Sequence, residues 1–303
     1  MSSGVNIIEV APRDGFQSVV PIISVAAKVA IIEALRDAGL KHIEVGAFVN
    51  PKAIAQMADI EEVLAALSLT NQPSAFESIV LVPNTRGAMR AVQQSCQRLN
   101  FVVSVSEAHN LKNVRKTLSE SFIELQQVQQ VVNDNPHLKL RVSLATSFDC
   151  PFDGTVNENL CLQVLQQVIE QCPTAQIALC DTTGKAHPFA VESLFDKALK
   201  IVPDTTEVIF HCHDTYGLGI ANVAAAYRAG VRSFDSAVAG FGGCPFAPGA
   251  SGNVATEDLV YFFESAGIDT GIDMSKLNKA IYLAEHIEGA QLGGSIRLLN
   301  TES

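Results

Sequence analysis

The chain has 303 residues, 48% of them hydrophobic and 17% charged, with a formal net charge of -11 and a pI near 5.1. That length and apolar share predict one large domain with a substantial buried core, and they make a homo-oligomer, most simply a dimer, a natural expectation. The acidic balance excludes a nucleic-acid-binding surface, which needs a basic stripe.

Seven cysteines without C-x-x-C spacing do not form a disulfide framework and fit a reducing compartment. The start, Met1-Ser2-Ser3-Gly4, leads straight into an apolar stretch and leaves no room for a basic-then-apolar signal. No apolar run approaches the roughly 20 residues of a membrane helix. The expected setting is cytoplasmic, away from membranes.

In chain order, short β-branched runs alternate with amphipathic stretches. Residues 5–10 read as a first strand, and 25–38 as a helix whose Val25, Val29, Ile32 and Leu35 share one face, closed by Gly39. Residues 42–45 are a second strand followed by a helix near 60–69. A third strand (78–82) precedes a helix over 86–96, and a fourth (99–105) precedes a long helix near 114–132. The strand at 138–145 leads to a helix over 157–171, and that at 176–180 to a helix over 189–201. The run ending at His211 leads to a helix over 221–229, and the strand at 233–238 to a glycine-rich loop and a helix over 256–265. Eight such units predict an α/β fold, a (β/α)8 TIM barrel, occupying 1–303 as a single domain with added helix in a C-terminal extension from about 270. An open doubly wound sheet alternates in the same way but usually carries a glycine-rich first turn.

The densest chemistry lies between Phe210 and Asn253. His211 and His213 stand at i and i+2 after a β-branched run, so as strand residues they share a face and converge on one divalent ion. The glycine- and proline-rich stretch 239–253 carries Cys244 and reads as an irregular, mobile lid. In a barrel, catalytic side chains gather at the C-terminal ends of the strands. Arg13 and Asp14, Glu44, Asp181, the two histidines, Cys244 and Asn253 all fall at such ends. Each has a plainer reading: Asp14-Gly15 as a turn, Glu44 as a partner of a lysine, Asp181-Thr182 as a helix cap. The six remaining cysteines are small buried hydrophobes by default.

Val10-Ala11-Pro12-Arg13-Asp14-Gly15, His211-Cys212-His213-Asp214-Thr215-Tyr216-Gly217 and the stretch 239–258, with its Gly-Gly-Cys-Pro and Gly-Ala-Ser-Gly-Asn-Val-Ala-Thr-Glu-Asp, resemble the 3-hydroxy-3-methylglutaryl-CoA lyase family over nearly the whole chain. The resemblance implies a divalent ion, commonly Mg2+ or Mn2+, held by Asp14, His211, His213 and Asn253. It also implies that Arg13, Glu44, Asp181, Cys244 and Glu257 perform or support catalysis. The implied partner is an acyl-CoA substrate, cleaved between C2 and C3 to acetyl-CoA and a keto acid. Three departures lie at or beside strand ends. Phe16-Gln17-Ser18-Val19 stands where Leu-Gln-Asn-Glu is usual, Ser143 where a tyrosine is general, and Asp149 where a glycine precedes Cys-Pro. They leave citramalyl-CoA open as an alternative substrate. A cysteine-nucleophile hydrolase and a non-catalytic binding barrel are the readings from other classes.

Overall fold

In chain order the strands are β1 (Asn6–Glu9), β2 (His42–Ala47), β3 (Glu77–Leu81), β4 (Arg98–Ser104), β5 (Lys139–Ala145), β6 (Asp149–Cys150), β7 (Gly154–Thr155), β8 (Gln176–Cys180), β9 (Val208–His211), β10 (Ser233–Ser236), β11 (Gly243–Cys244) and β12 (Ala247–Ser251). The helices are α1 (Val25–Asp37), α2 (Ile60–Thr70), α3 (Thr85–Val92), α4 (Glu107–Val114), α5 (Leu118–Asn133), α6 (Glu158–Gln171), α7 (Pro188–Ile201), α8 (Gly219–Ala229), α9 (Thr256–Ser265) and α10 (Met274–Glu285). This computed structural model describes residues 4–70, 76–94, 96–244 and 247–299, with 69–70, 243–244 and 247–251 described by backbone alone.

Eight strands pair in parallel and close in the order β1-β10-β9-β8-β5-β4-β3-β2, with helices between them on the outside. This is the TIM barrel expected from the alternation. A parallel strand covered on both faces is largely apolar, and β8 illustrates it: all five of its residues are buried, and only Gln176, at its start, is polar. No helix among the described residues is long and apolar enough to cross a membrane.

Local chemistry sets the helix ends. Ser24 caps α1 by accepting from the Ala27 N–H, and Gly39 leaves the helix at φ 108°. The long helix expected near 114–132 is present as α5, and the short α4 before it is an element the sequence reading missed. Arg115, at φ 58°, ends α4 in the left-handed region, and Thr117 with Glu120 forms a capping box that starts α5. The added helix expected in the extension from about 270 is α10. It stops at Glu285, and the chain beyond it crosses the foot of the loop after β10, where Gly242 N–H donates to Gln291 O at 3.1 Å and Gly293 N–H to Ala239 O at 2.9 Å.

The glycine-rich stretch is also more regular than expected. Its described backbone forms an antiparallel hairpin, β11 with β12. Small residues make poor strands by propensity, but here the ladder and the anchored foot hold them. Gly252 N–H donates to Gly242 O at 3.0 Å, and Asp214 N–H to Gly252 O at 2.7 Å.

Candidate active site

The barrel's C-terminal mouth opens into a cavity of ≈ 620 Å³ whose wall includes Arg13, Asp14, His211 and His213. After β1 the chain makes a tight turn over Ala11–Gly15, in which Arg13 N–H and Asp14 N–H both donate to Val10 O. Gly15 lets that turn approach the loop after β10, since a Cβ there would meet Phe241 at 3.1 Å. His211 ends β9 as expected. His213 lies beyond the strand and is held by a β-bridge to Asn253, so the pair converges through that bridge rather than through strand alternation alone.

The donor atoms of Asp14, His211 and His213 lie within 4.8 Å of one another. Asp14 Oδ2 is 3.9 Å from each Nε2, and the two Nε2 atoms are 3.2 Å apart. Asn253 Nδ2 donates to Asp14 Oδ2 at 2.9 Å, while its Oδ1 is buried with no hydrogen-bond partner among the described residues. Two imidazole nitrogens and a carboxylate oxygen brought together, with the Asn253 amide against that carboxylate, are a donor set that fits a divalent cation such as magnesium or manganese. Burial works against the Asp14 charge, but Arg13, then the two histidines, hold its carboxyl well below the usual range. Burial and the neighbouring His211 push His213 down to about 4, which keeps it neutral near pH 7.

From this centre a line of buried polar side chains runs around the barrel interior. Arg13 pairs with Asp14, and its Nε donates to Glu44 Oε2 at 2.6 Å. Asn100 Nδ2 donates to Glu44 Oε1 at 2.7 Å, and Ser143 Oγ donates to Asn100 Oδ1 at 2.8 Å. Arg141 Nε donates to Ser143 Oγ at 3.2 Å, and its Nη1 donates to Asp235 Oδ1 at 2.9 Å. His211 Nδ1 lies 3.0 Å from Asp235 Oδ2, which returns the line to the histidine pair. Glu44 therefore pairs with an arginine, not with the lysine of its plainer reading. The sequence reading missed Asn100, Arg141 and Asp235. A signal was there: a charged residue inside a covered parallel strand, as in Phe234-Asp235-Ser236, must have an interior partner.

Of the other expected residues, Asp181 and Glu257 stand apart from the cavity wall. Asp181 follows β8, and its carboxylate accepts from the Ala186 N–H at 3.2 Å, a contact close to the helix-cap alternative. Burial pushes it up to about 7. Glu257 is fully buried behind the loop after β10, accepts from the Ala239 N–H at 3.0 Å, and is raised by burial to about 8. It is not brought to the mouth with the others. Cys244 lies in β11 by its backbone, and its side chain falls outside the described residues. Among the described cysteines, burial lifts Cys96 to about 11 and Cys161 and Cys172 to about 12, so they remain neutral thiols, as small core residues should.

The HMGL-like family model matches residues 4–283. The chain is 40% identical to the hydroxymethylglutaryl-CoA lyase of Pseudomonas mevalonii over 270 residues, covering 89% of this chain and 88% of that one. It is 38% identical to the (R)-citramalyl-CoA lyase of Chloroflexus aurantiacus over 280 residues, covering 90% and 87%. The structure of an HMG-CoA lyase from Acinetobacter baumannii, in complex with coenzyme A and 3-methylmalate, superposes with a TM-score of 0.92 at 35% identity, covering 100% of this chain and 98% of that one. With the barrel, the mouth and these likenesses in agreement, the chain belongs to the HMGL-like family and is a carbon–carbon lyase.

Proposed function

We propose that the chain is a divalent-metal-dependent acyl-CoA lyase that cleaves the C2–C3 bond of a 3-hydroxy-3-methylacyl-CoA, with 3-hydroxy-3-methylglutaryl-CoA as substrate and acetyl-CoA and acetoacetate as products. The observation that carries the reading is the meeting of Asp14, from the first strand's turn, with His211, His213 and Asn253, from the far end of the chain, beside the Arg13 guanidinium. A bound magnesium or manganese ion would lower the pKa of the substrate's C3 hydroxyl and fix its orientation.

The chain's own residues meet the remaining demands. When the bond breaks, its electrons pass to the thioester and form the enolate of acetyl-CoA, whose oxygen needs a positive partner as charge develops. Arg13 supplies it. Its charge is secured by Asp14 and Glu44, and Glu44 with Asn100 fixes its position. Asp181, raised to about 7 and set back from the cavity wall next to the strand that ends in His211, supports the histidine side of the site rather than touching the hydroxyl. Cys244 on the hairpin returns a proton to C2, since a thiol's ordinary pKa of about 8.5 allows transfer near neutrality. Glu257 supports the foot of the loop that leads to Cys244 rather than touching substrate.

A second substrate has specific support. The identity to a citramalyl-CoA lyase is close to that with a hydroxymethylglutaryl-CoA lyase, and Ser143 stands on the cavity wall where a larger side chain is general. Citramalyl-CoA would give pyruvate with the acetyl-CoA. The test is to assay the chelator-stripped protein on both thioesters with and without Mg2+ or Mn2+, identifying the keto acid. Metal-restored release of acetyl-CoA with acetoacetate is expected. Pyruvate alone moves the substrate to citramalyl-CoA, and turnover unaffected by EDTA sinks the metal-dependent lyase.

A further inference from the structure

Asp235 occupies a position in β10 directly across from His211 in β9, and its carboxylate lies 3.0 Å from His211 Nδ1. Arg141, reaching from β5, donates to the same carboxylate from both terminal nitrogens, and the side chains of this ion pair are 2% and 1% exposed. A carboxylate held by a guanidinium is an acceptor only. His211 Nδ1 must therefore carry a hydrogen, and in the neutral ring the lone pair sits on Nε2, facing Asp14 and His213.

The two Nε2 atoms are 3.2 Å apart, so without a cation the hydrogen between them belongs to His213. Its Nδ1, buried and without a partner among the described residues, is the atom left unprotonated.

We infer that Arg141 and Asp235 are positioning residues that lock His211 in the tautomer able to ligate through Nε2, leaving His213 as the imidazole that must change tautomer when a cation binds. The inference rests on the cation site proposed above. Outer partners of this kind orient ligating histidines, and their loss typically costs about 10- to 100-fold in metal affinity.

The informative variant is Asp235→Asn. Arg141 would hold the amide oxygen, turning the amide NH2 toward Nδ1, which then has to accept and send the hydrogen to Nε2. The full-length, chelator-stripped protein with 15N-labelled histidine is examined by long-range proton–nitrogen correlation, with His211 assigned through His211→Gln, and Mn2+ affinity is measured by EPR. Expected are an Nδ1–H tautomer at His211 in the wild type, an Nε2–H tautomer in Asp235→Asn, and about 10- to 100-fold weaker Mn2+ binding by that variant. A purely structural role would lower thermal stability without moving the hydrogen. An Nε2–H tautomer at His211 in the wild type overturns the inference, and this measurement stands even if the variant does not fold. Unchanged Mn2+ affinity in a folded Asp235→Asn overturns it as well. Failure of the wild type to bind Mn2+ overturns the cation site itself, an outcome distinct from either.

Discussion

At the scale of single residues, the least expected chemistry belongs to two buried carboxyls behind the mouth. Glu9 accepts from the Ala11 and Val238 N–H groups and from Thr256 Oγ1, and Glu257 accepts from the Ala239 N–H. Burial pushes Glu9 to about 7 and Glu257 to about 8. Both pKa values are raised above the unfolded value, so the folded state holds protons that the unfolded state has released. The stability they contribute is therefore full below about pH 4.5 and falls as pH rises through 7 to 8. Replacing Glu257 with glutamine keeps the shape and removes the titration. We expect Glu257→Gln to reduce the fall in unfolding free energy between pH 5 and 8 by up to about 1.4 kcal/mol per pH unit, with Mn2+ affinity unchanged. Urea titrations across that range decide it, and an unaltered pH slope would mean that Glu257 is ionised in the fold. The sequence marked Glu257 through its motif but not its burial. An acidic residue in the first turn of a helix looks solvated until the packing above it is known.

Among the elements, the strands and most helices were legible because their periodicity is strong, and the failures share a cause. The helix expected near 114–132 is there as α5, but the short α4 before it went unread, because the break between them shows only in backbone conformation: Arg115 is left-handed without being glycine. The hairpin was missed because its residues say nothing about pairing. The C-terminal segment 287–299 has little periodicity, yet it clamps the hairpin's foot. Ala239 and Gly240 are successive left-handed residues, at φ 56° and 55°, and a Cβ on Gly240 would lie 2.7 Å from Gly293 Cα. The neighbour is backbone and cannot rotate away. Gly240→Ala should therefore cost about 3 kcal/mol of unfolding free energy, combining left-handed strain with overpacking. It should also slow turnover by displacing the hairpin that bears Cys244. A loss below about 0.5 kcal/mol in urea unfolding would show that the segment yields freely and does not clamp the foot.

For the whole molecule, the barrel makes distance along the chain irrelevant to distance in space. Asp14 follows β1, while His211, His213 and Asn253 lie some two hundred residues on, yet β1 pairs with β10, which pairs with β9. This closure explains why the meeting of Asp14 with His211 and His213 was legible from scattered strand ends while the Arg141–Asp235 pair spanning the interior was not: strand order gives the rim, but facing positions across the barrel depend on register. It also makes the proposed cation a clasp between the first strand's turn and the last third of the chain. A ligand that binds only the folded state stabilises it by mass action. At a free Mn2+ concentration 100 times its Kd, the unfolding free energy should rise by about 2.7 kcal/mol, and the thermal midpoint should increase with Mn2+ concentration. Asp14→Ala removes the carboxylate from the clasp. That variant should fold, lose most of the Mn2+-dependent rise, and unfold at a midpoint nearly independent of the ion. If it keeps the full rise, the stabilising ion sits elsewhere and the two ends of the chain are not joined through Asp14.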